Sequence, residues 1–208
     1  MPQIFVSHSR LDERSITFLS KAAAGSSVKL YFTDFERLLG QEPSPEGIRQ
    51  KIDESAALFV ALSSHVESIP YTRDWVMWEA GSAKNQDIWI FESAAEEPLQ
   101  VVIPFFKHYV RFHDTSEWQA YIRQIIDSYS TLETLKSVAL GATLGAVAGP
   151  FGSALGGVAG YLRSAPSRDR PPGREYRCPV CRISASIHYP KGMTSFRCPA
   201  CGTELSLQ

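Results

Sequence analysis

Ala57-Leu58-Phe59-Val60-Ala61-Leu62, then Thr72-Arg73-Asp74-Trp75-Val76-Met77-Trp78-Glu79-Ala80-Gly81-Ser82-Ala83-Lys84, then Asp87-Ile88-Trp89-Ile90-Phe91 decide the fold. The outer two runs are short and almost wholly apolar, as strands covered on both faces are. The run between them reads as a helix. Upstream the alternation repeats. Gln3 to His8 is a strand, and Leu11 to about Ala24 a helix closed by Gly25. Val28 to Phe32 is a second strand, and 35–47 a loop with Gly40, Pro43, Pro45 and Gly47. A helix from Ser44 or Pro45 runs through Ser55. Downstream, Leu99 to Phe106 and Tyr109 to Phe112 supply one or two more strands. Ser116, at an N-cap position, opens a last helix to about Tyr129. Such alternation predicts an α/β fold: a parallel sheet with helices on both faces. In such sheets ligands sit at the carboxyl ends of the strands. The site is therefore expected at the loop after Val6, the loop after Phe32 and the helix after the third strand.

The chain has 208 residues and a net charge of −1, so no global charge argues for nucleic acid. The charge is divided, however. Residues 1–137 hold 13 Lys/Arg against 19 Asp/Glu, and residues 163–208 hold 8 against 3. The stretch between carries none, which suggests separate modules. Four units are expected: a first domain over 1–130, a glycine-zipper helical or membrane segment over 131–165, a linker over 166–175, and a cysteine module over 176–208. The N-terminus MPQIFVSHSR lacks a basic leader and runs straight into a strand, so a cytoplasmic protein with reduced thiols is expected.

Residues 138–162 contain 7 of the 14 glycines, in two ladders, Gly141, Gly145, Gly149 and Gly152, Gly156, Gly160, separated by Pro150-Phe151. Small residues at every fourth place let helices approach closely in lipid. Two readings stand: contact with the inner face of the cell membrane, or a helical hairpin that self-associates. A hairpin turning at Pro150 would have arms reaching only ~18 Å, short of a ~30 Å hydrocarbon core. Insertion would be partial, or the arms would pack between protomers.

The helix over 72–84 carries the chemistry. Trp75 and Glu79 are four apart and share a face. One reading is an ordinary amphipathic helix with a solvated glutamate. The other comes from a resemblance. IFVSHSRLDE, VKLYFTDFERLLGQEPSPEGIRQKIDESA, ALFVALSSHV and DWVMWE resemble, in order and spacing, the motifs of the Toll/interleukin-1 receptor-like (TIR) family, over roughly residues 1–130. That resemblance implies a flavodoxin-like sheet and, with DWVMWE similar to the Trp-x-x-x-Glu element of NAD-cleaving members, scission of the nicotinamide–ribose bond of NAD⁺. It maps the catalytic residue onto Glu79 and the nicotinamide neighbour onto Trp75. It places Ser7, His8 and Ser9 along the nucleotide pocket. Asp34, after the second strand, could bond a ribose hydroxyl, and Ser82 is a further pocket candidate. His8 could equally be a surface histidine at a strand end.

The residue types suit that chemistry. Nicotinamide leaves readily because it is already cationic, and the transition state resembles an oxocarbenium ion. One carboxylate beside the ribose stabilises that charge, and an aromatic wall offers its π-face to the pyridinium. Glu79-Ala80-Gly81-Ser82-Ala83 is also similar to the Glu-x-Gly-x-Ala element of nucleoside deoxyribosyltransferases, where the Glu attacks the anomeric carbon. Either resemblance gives Glu79 the same bond type.

Cys178-Pro179-Val180-Cys181 and Cys198-Pro199-Ala200-Cys201 are two CPxC knuckles with the spacing of a Zn²⁺ site. Four thiolates close a tetrahedral shell with no open position for catalysis, so a structural zinc ribbon is expected. So small a unit needs a metal because its apolar core is slight. Nucleic-acid binding by its scattered basic residues is not expected.

Three functions compete at this stage. The first is an NAD⁺ glycohydrolase or cyclase that homo-oligomerises through the TIR domain and the glycine ladder, in anti-phage immunity by analogy with prokaryotic relatives. The second is a non-catalytic signalling or assembly module. The third is a membrane-disrupting effector with the TIR domain as signal reader.

Overall fold

The structure is a computed structural model that describes residues 2–33, 44–95, 97–99, 103, 105–144 and 173–207, with the backbone alone over 131–144. Its elements are β1 (Gln3–Ser7), α1 (Glu13–Ala23), β2 (Lys29–Phe32), α2 (Pro45–Asp53), β3 (Ala57–Leu62), α3 (Ser64–Ser68), α4 (Pro70–Ser82), β4 (Asp87–Ser93), β5 (His108–Phe112) and α5 (Ser116–Leu144). Four strands of the cysteine module follow: β6 (Arg174–Arg177), β7 (Ser184–His188), β8 (Ser195–Arg197) and β9 (Glu204–Ser206).

The main sheet runs β2-β1-β3-β4-β5-β7-β6. Its first five strands are parallel and in the doubly wound, flavodoxin-like order 2-1-3-4-5. The α/β expectation therefore holds. Side chains alternate across each strand, and the alternation splits the core in two. Phe5, Leu58, Val60, Ile88, Ile90 and Tyr109 face one way, onto Ile48 and Ile52 of α2, Val66 of α3, and Val76 and Ala80 of α4. Ile4, Val6, Phe59, Phe91, Val110 and Phe112 face the other way, onto Phe18 and Leu19 of α1 and Ile122 and Ile125 of α5. The chain leaves β1 over one face and β3 over the other. The switch point thus lies between β1 and β3.

Local signals explain the boundaries. Ser44 caps α2 by accepting from Gly47 N at 3.0 Å, with Pro45 at the first helical position. Pro70 opens α4 in the same way. Gly25 sits at φ 80° just past α1, a conformation glycine adopts without strain. Of the one or two strands expected over Leu99 to Phe112, β5 is the one among the described residues, and 100–102 and 104 lie outside them. One expectation changes. The last helix runs on from Tyr129 to Leu144, into the first residues of the glycine-rich stretch.

The cysteine module is joined to the body by the sheet itself. β7 pairs with β5 in parallel, and β6 with β7 antiparallel. Ile103 N donates to Pro199 O at 2.7 Å, and the Phe196 ring lies 5.9 Å from that of Tyr109. Phe196, Ala185 and Ile187 share a core with β1, β3 and β4. Residues 145–172, with most of the glycine ladders and the linker, lie outside the described residues. No helix among the described residues is long and apolar enough to cross a membrane.

Candidate active site and cysteine cluster

In α4 the inward positions are Val76, Glu79, Ala80 and, just past its end, Ala83. These fall at i, i+3, i+4 and i+7, one stripe of a helix. Glu79 is thus an acid set in the apolar stripe, not on the solvent side, and it is 2% exposed. On β1, Ser7 shares a face with Phe5 and so points to α4. Ser7 Oγ donates to Glu79 Oε2. The Trp75 side chain hydrogen-bonds the same carboxyl from one turn earlier. Burial pushes the Glu79 pKa up to about 7, against the pull of the Ser7 and Trp75 hydrogen bonds. A charge taken out of water costs more than two hydrogen bonds return. The group therefore titrates near neutrality, where an acid–base or electrostatic role is exercised.

Trp75 also begins an aromatic row on the outer side of α4. Its ring lies 6.3 Å from Tyr71 and 5.1 Å from Trp78, which are 74% and 37% exposed. Glu79 thus has a buried serine on its sheet side and an indole leading to the surface.

The other predicted pocket residues are placed differently. Ser9 is buried in the turn after β1, where its Oγ accepts from Leu11 N at 3.3 Å. His8 turns its ring edge to Phe32 at 5.5 Å, with Nδ1 2.9 Å from Ser9 O. Ser82 donates to Trp78 O of its own helix at 2.9 Å, and makes no hydrogen bond to Ser7 or Glu79 among the described residues. Asp34, with the loop that follows it to Pro43, lies outside the described residues.

Two clusters escaped the sequence reading. Asp12, 4% exposed, accepts from Ser63 Oγ at 2.6 Å and Ser9 N at 3.2 Å, and pairs with His65 Nδ1 at 2.8 Å. One carboxylate therefore ties the turn after β1 to the turn after β3, on either side of the switch point. Glu92, 3% exposed, accepts from Tyr109 Oη at 2.7 Å and Leu99 N at 3.3 Å, with Arg111 Nη1 at 3.9 Å. Burial and the neighbouring Glu92 charge hold the Tyr109 phenol well above its usual range. Both acids carry a signal in hindsight. Asp12 directly precedes a helix, and Glu92 occupies an inward position at the end of an apolar strand.

The four cysteines converge. Their sulfurs all lie within 4.8 Å of one another, with Cys178–Cys201 at 3.7 Å and Cys181–Cys198 at 3.8 Å. A tetrahedron with metal–sulfur bonds of ~2.3 Å has sulfur–sulfur edges of ~3.8 Å. The two knuckles repeat one backbone pattern. Cys178 N donates to Ile183 O and Cys198 N to Thr203 O, at 2.9 and 2.8 Å. Arg182 and Gly202, each one past the second cysteine, take φ of 62° and 73°. Burial raises the Cys198 thiol, whereas hydrogen bonding to Thr203 draws Cys201 down to about 6. Donor set and spacing fit a closed metal site.

No protein family matches the chain, and no curated protein matches it. The crystal structure of a diflavin flavoprotein A3 from Nostoc sp. is similar at 15% identity, covering 66% of this chain and 97% of that one, with a TM-score of 0.43. The flavodoxin-like topology rests on the strand order given above.

Proposed function

We propose that the chain is a TIR-type enzyme that cleaves the nicotinamide–ribose bond of NAD⁺, with Glu79 as its catalytic carboxylate. One observation carries the reading: a glutamate in the apolar stripe of α4 meets Ser7 at the carboxyl end of β1, beside the topological switch point. An acid so placed has no structural need to be an acid, since Gln or Met would fill the stripe without the cost of burying a charge.

The chemistry follows from its environment. Glu79 with a pKa of about 7 is protonated in a good fraction of free protein at neutral pH. A nicotinamide ring brings a positive charge, and an opposite charge favours the carboxylate. Substrate therefore draws the group into its ionised form. The anion then faces the oxocarbenium charge that develops on the ribose as nicotinamide leaves. Ser7 orients the carboxyl and Trp75 walls the ring. Water or a second nucleophile completes the transfer.

The four cysteines hold Zn²⁺ in this reading, as a closed structural site without catalytic work. It folds the small module that completes the sheet beyond β5. The exposed Tyr71–Trp75–Trp78 row favours a second reading in which α4 is an assembly surface and Glu79 only a packed acid.

The purified chain incubated with NAD⁺ and analysed by mass spectrometry separates the two. Release of nicotinamide with ADP-ribose or its cyclic form, lost in Glu79→Gln, is expected. Its kcat/KM should rise with pH through about 7, because the ionised carboxyl is the working form. Undiminished turnover in Glu79→Gln removes the proposed role. No turnover under forced clustering leaves the assembly reading.

A further inference from the structure

The two cysteine knuckles share a backbone pattern but not an environment. The second is pressed against the body. Pro199 is buried and its carbonyl accepts from Ile103 N at 2.7 Å, while Cys198 is 2% exposed and Cys201 half-buried. The first stands clear. Pro179, Val180, Cys181 and Arg182 are all exposed, Val180 at 63%, and Cys178 at the base of the knuckle is buried. One side of the four-sulfur cluster is therefore covered by the body, and the other opens at Cys181.

Hydrogen bonds to sulfur follow the same division. Cys198 accepts from the backbone N–H of Ala200 and of Cys201. Cys201 is bonded by the backbone and the hydroxyl of Thr203, with Oγ1 at 3.2 Å. Cys181 receives the backbone N–H of Ile183. Ile183 holds the place in its knuckle that Thr203 holds in the other, and it brings no hydroxyl. Each donor draws charge from the lone pairs with which a thiolate attacks, so a sulfur with fewer donors stays more nucleophilic. A metal-bound thiol is already deprotonated. Its oxidation then follows nucleophilicity and access.

The geometry points to Cys181 as an oxidation site, at which a hydroperoxide disarms the cluster, with Cys198 as the resolving thiolate. The proposal rests on the zinc reading of the four cysteines and not on NAD⁺ cleavage. The Cys181 sulfur attacks one peroxide oxygen. The O–O bond breaks, hydroxide leaves and a sulfenic acid forms. The Cys198 sulfur, 3.8 Å away, attacks the sulfenic sulfur. The S–O bond breaks, a second hydroxide leaves and a disulfide forms. One peroxide takes up the two electrons that the pair gives. Closing from 3.8 Å to ~2.05 Å moves both sulfurs off the corners of a tetrahedron. Cys178 and Cys201 are then the thiolates left, too few for a closed shell, and the ion is released.

Stepwise addition of hydrogen peroxide to the zinc-loaded chain tests it. A chromogenic chelator reads free zinc, and mass spectrometry reads each cysteine. Dimedone, which traps sulfenic acids, should label Cys181 above each of the other three during a brief exposure. Without dimedone a Cys181–Cys198 disulfide should form, and one ion should be released per peroxide consumed. A dithiol with added zinc should restore the loaded protein, because the disulfide is reversible. Zinc retained at excess peroxide, labelling that favours Cys201 or a buried cysteine, or a disulfide from Cys181 to Cys178 would each overturn the proposal and leave the metal reading intact. A purified chain that takes up no zinc overturns the metal reading and the proposal together.

Discussion

Replacing Glu79 by Gln should make the protein more stable above neutral pH, and the size of the gain follows from the burial of the carboxyl. The folded-state pKa is raised from 4.5 to about 7. An acid whose folded pKa is raised binds its proton more tightly in the native state than in the unfolded one. Its stabilising share is complete below the unfolded pKa and is lost as pH climbs through the folded pKa. Between about pH 5 and about pH 8 the shift corresponds to a loss of about 2 to 3 kcal/mol in wild type. Because the group is fully buried, solvent screening takes little from that figure. Gln keeps the shape and can still meet Ser7 and Trp75, but it carries no charge to desolvate. Urea unfolding of wild type and Glu79→Gln at both pH values measures the difference. The two should nearly coincide at the lower pH. At the higher pH the variant should lead by ~1 M or more in midpoint, for slopes of ~1–3 kcal/mol per M. A gap that does not change with pH, or one that favours wild type at the higher value, refutes the buried, desolvated placement of the carboxyl.

Other outcomes follow from the same geometry. Asp12→Ala should cost roughly 2–4 kcal/mol in chemical denaturation, since Ser63, Ser9 N and His65 lose a shared buried acceptor. A cost under about 0.5 kcal/mol, the level of an ordinary surface substitution, would contradict that staple. Chelation, or Cys198→Ser, should release zinc by elemental analysis and increase amide exchange in β5 as well as in the module, because β7 is hydrogen-bonded to β5. Protection of β5 that survives metal loss argues against the shared sheet. Arg182→Gly should raise thermal stability of the metal-loaded protein by about 0.5–1 kcal/mol, as Arg182 holds the left-handed conformation that Gly202 takes in the sister knuckle. Destabilisation there would mean that the Arg182 side chain contributes more than its backbone costs.

What the sequence disclosed, it disclosed through periodicity and spacing. β1, β3 and β4 read as strands because apolar runs of that length between helix signals have few alternatives. α2 was located by Ser44 and Pro45, and the metal knuckles by their CPxC repeats. Glu79 is singled out in the sequence by a resemblance, and what the structure adds is its buried position in the stripe Val76, Glu79, Ala80, Ala83. The pairing of β7 with β5 was not legible. It joins residues distant in sequence, and no local pattern in SASIH distinguishes a strand of a free ribbon from one completing a larger sheet. Asp12 and Glu92 were missed for the same reason: each acid acts through partners on other elements.

The late arrival of β7 has a consequence for biosynthesis. On the proposed zinc reading, the backbone of β5 presents an open parallel border to any passing strand until both knuckles have left the ribosome and captured an ion. Cells starved of zinc would then accumulate chains that are sticky along that border. Yield in the soluble fraction would track the metal content of the growth medium.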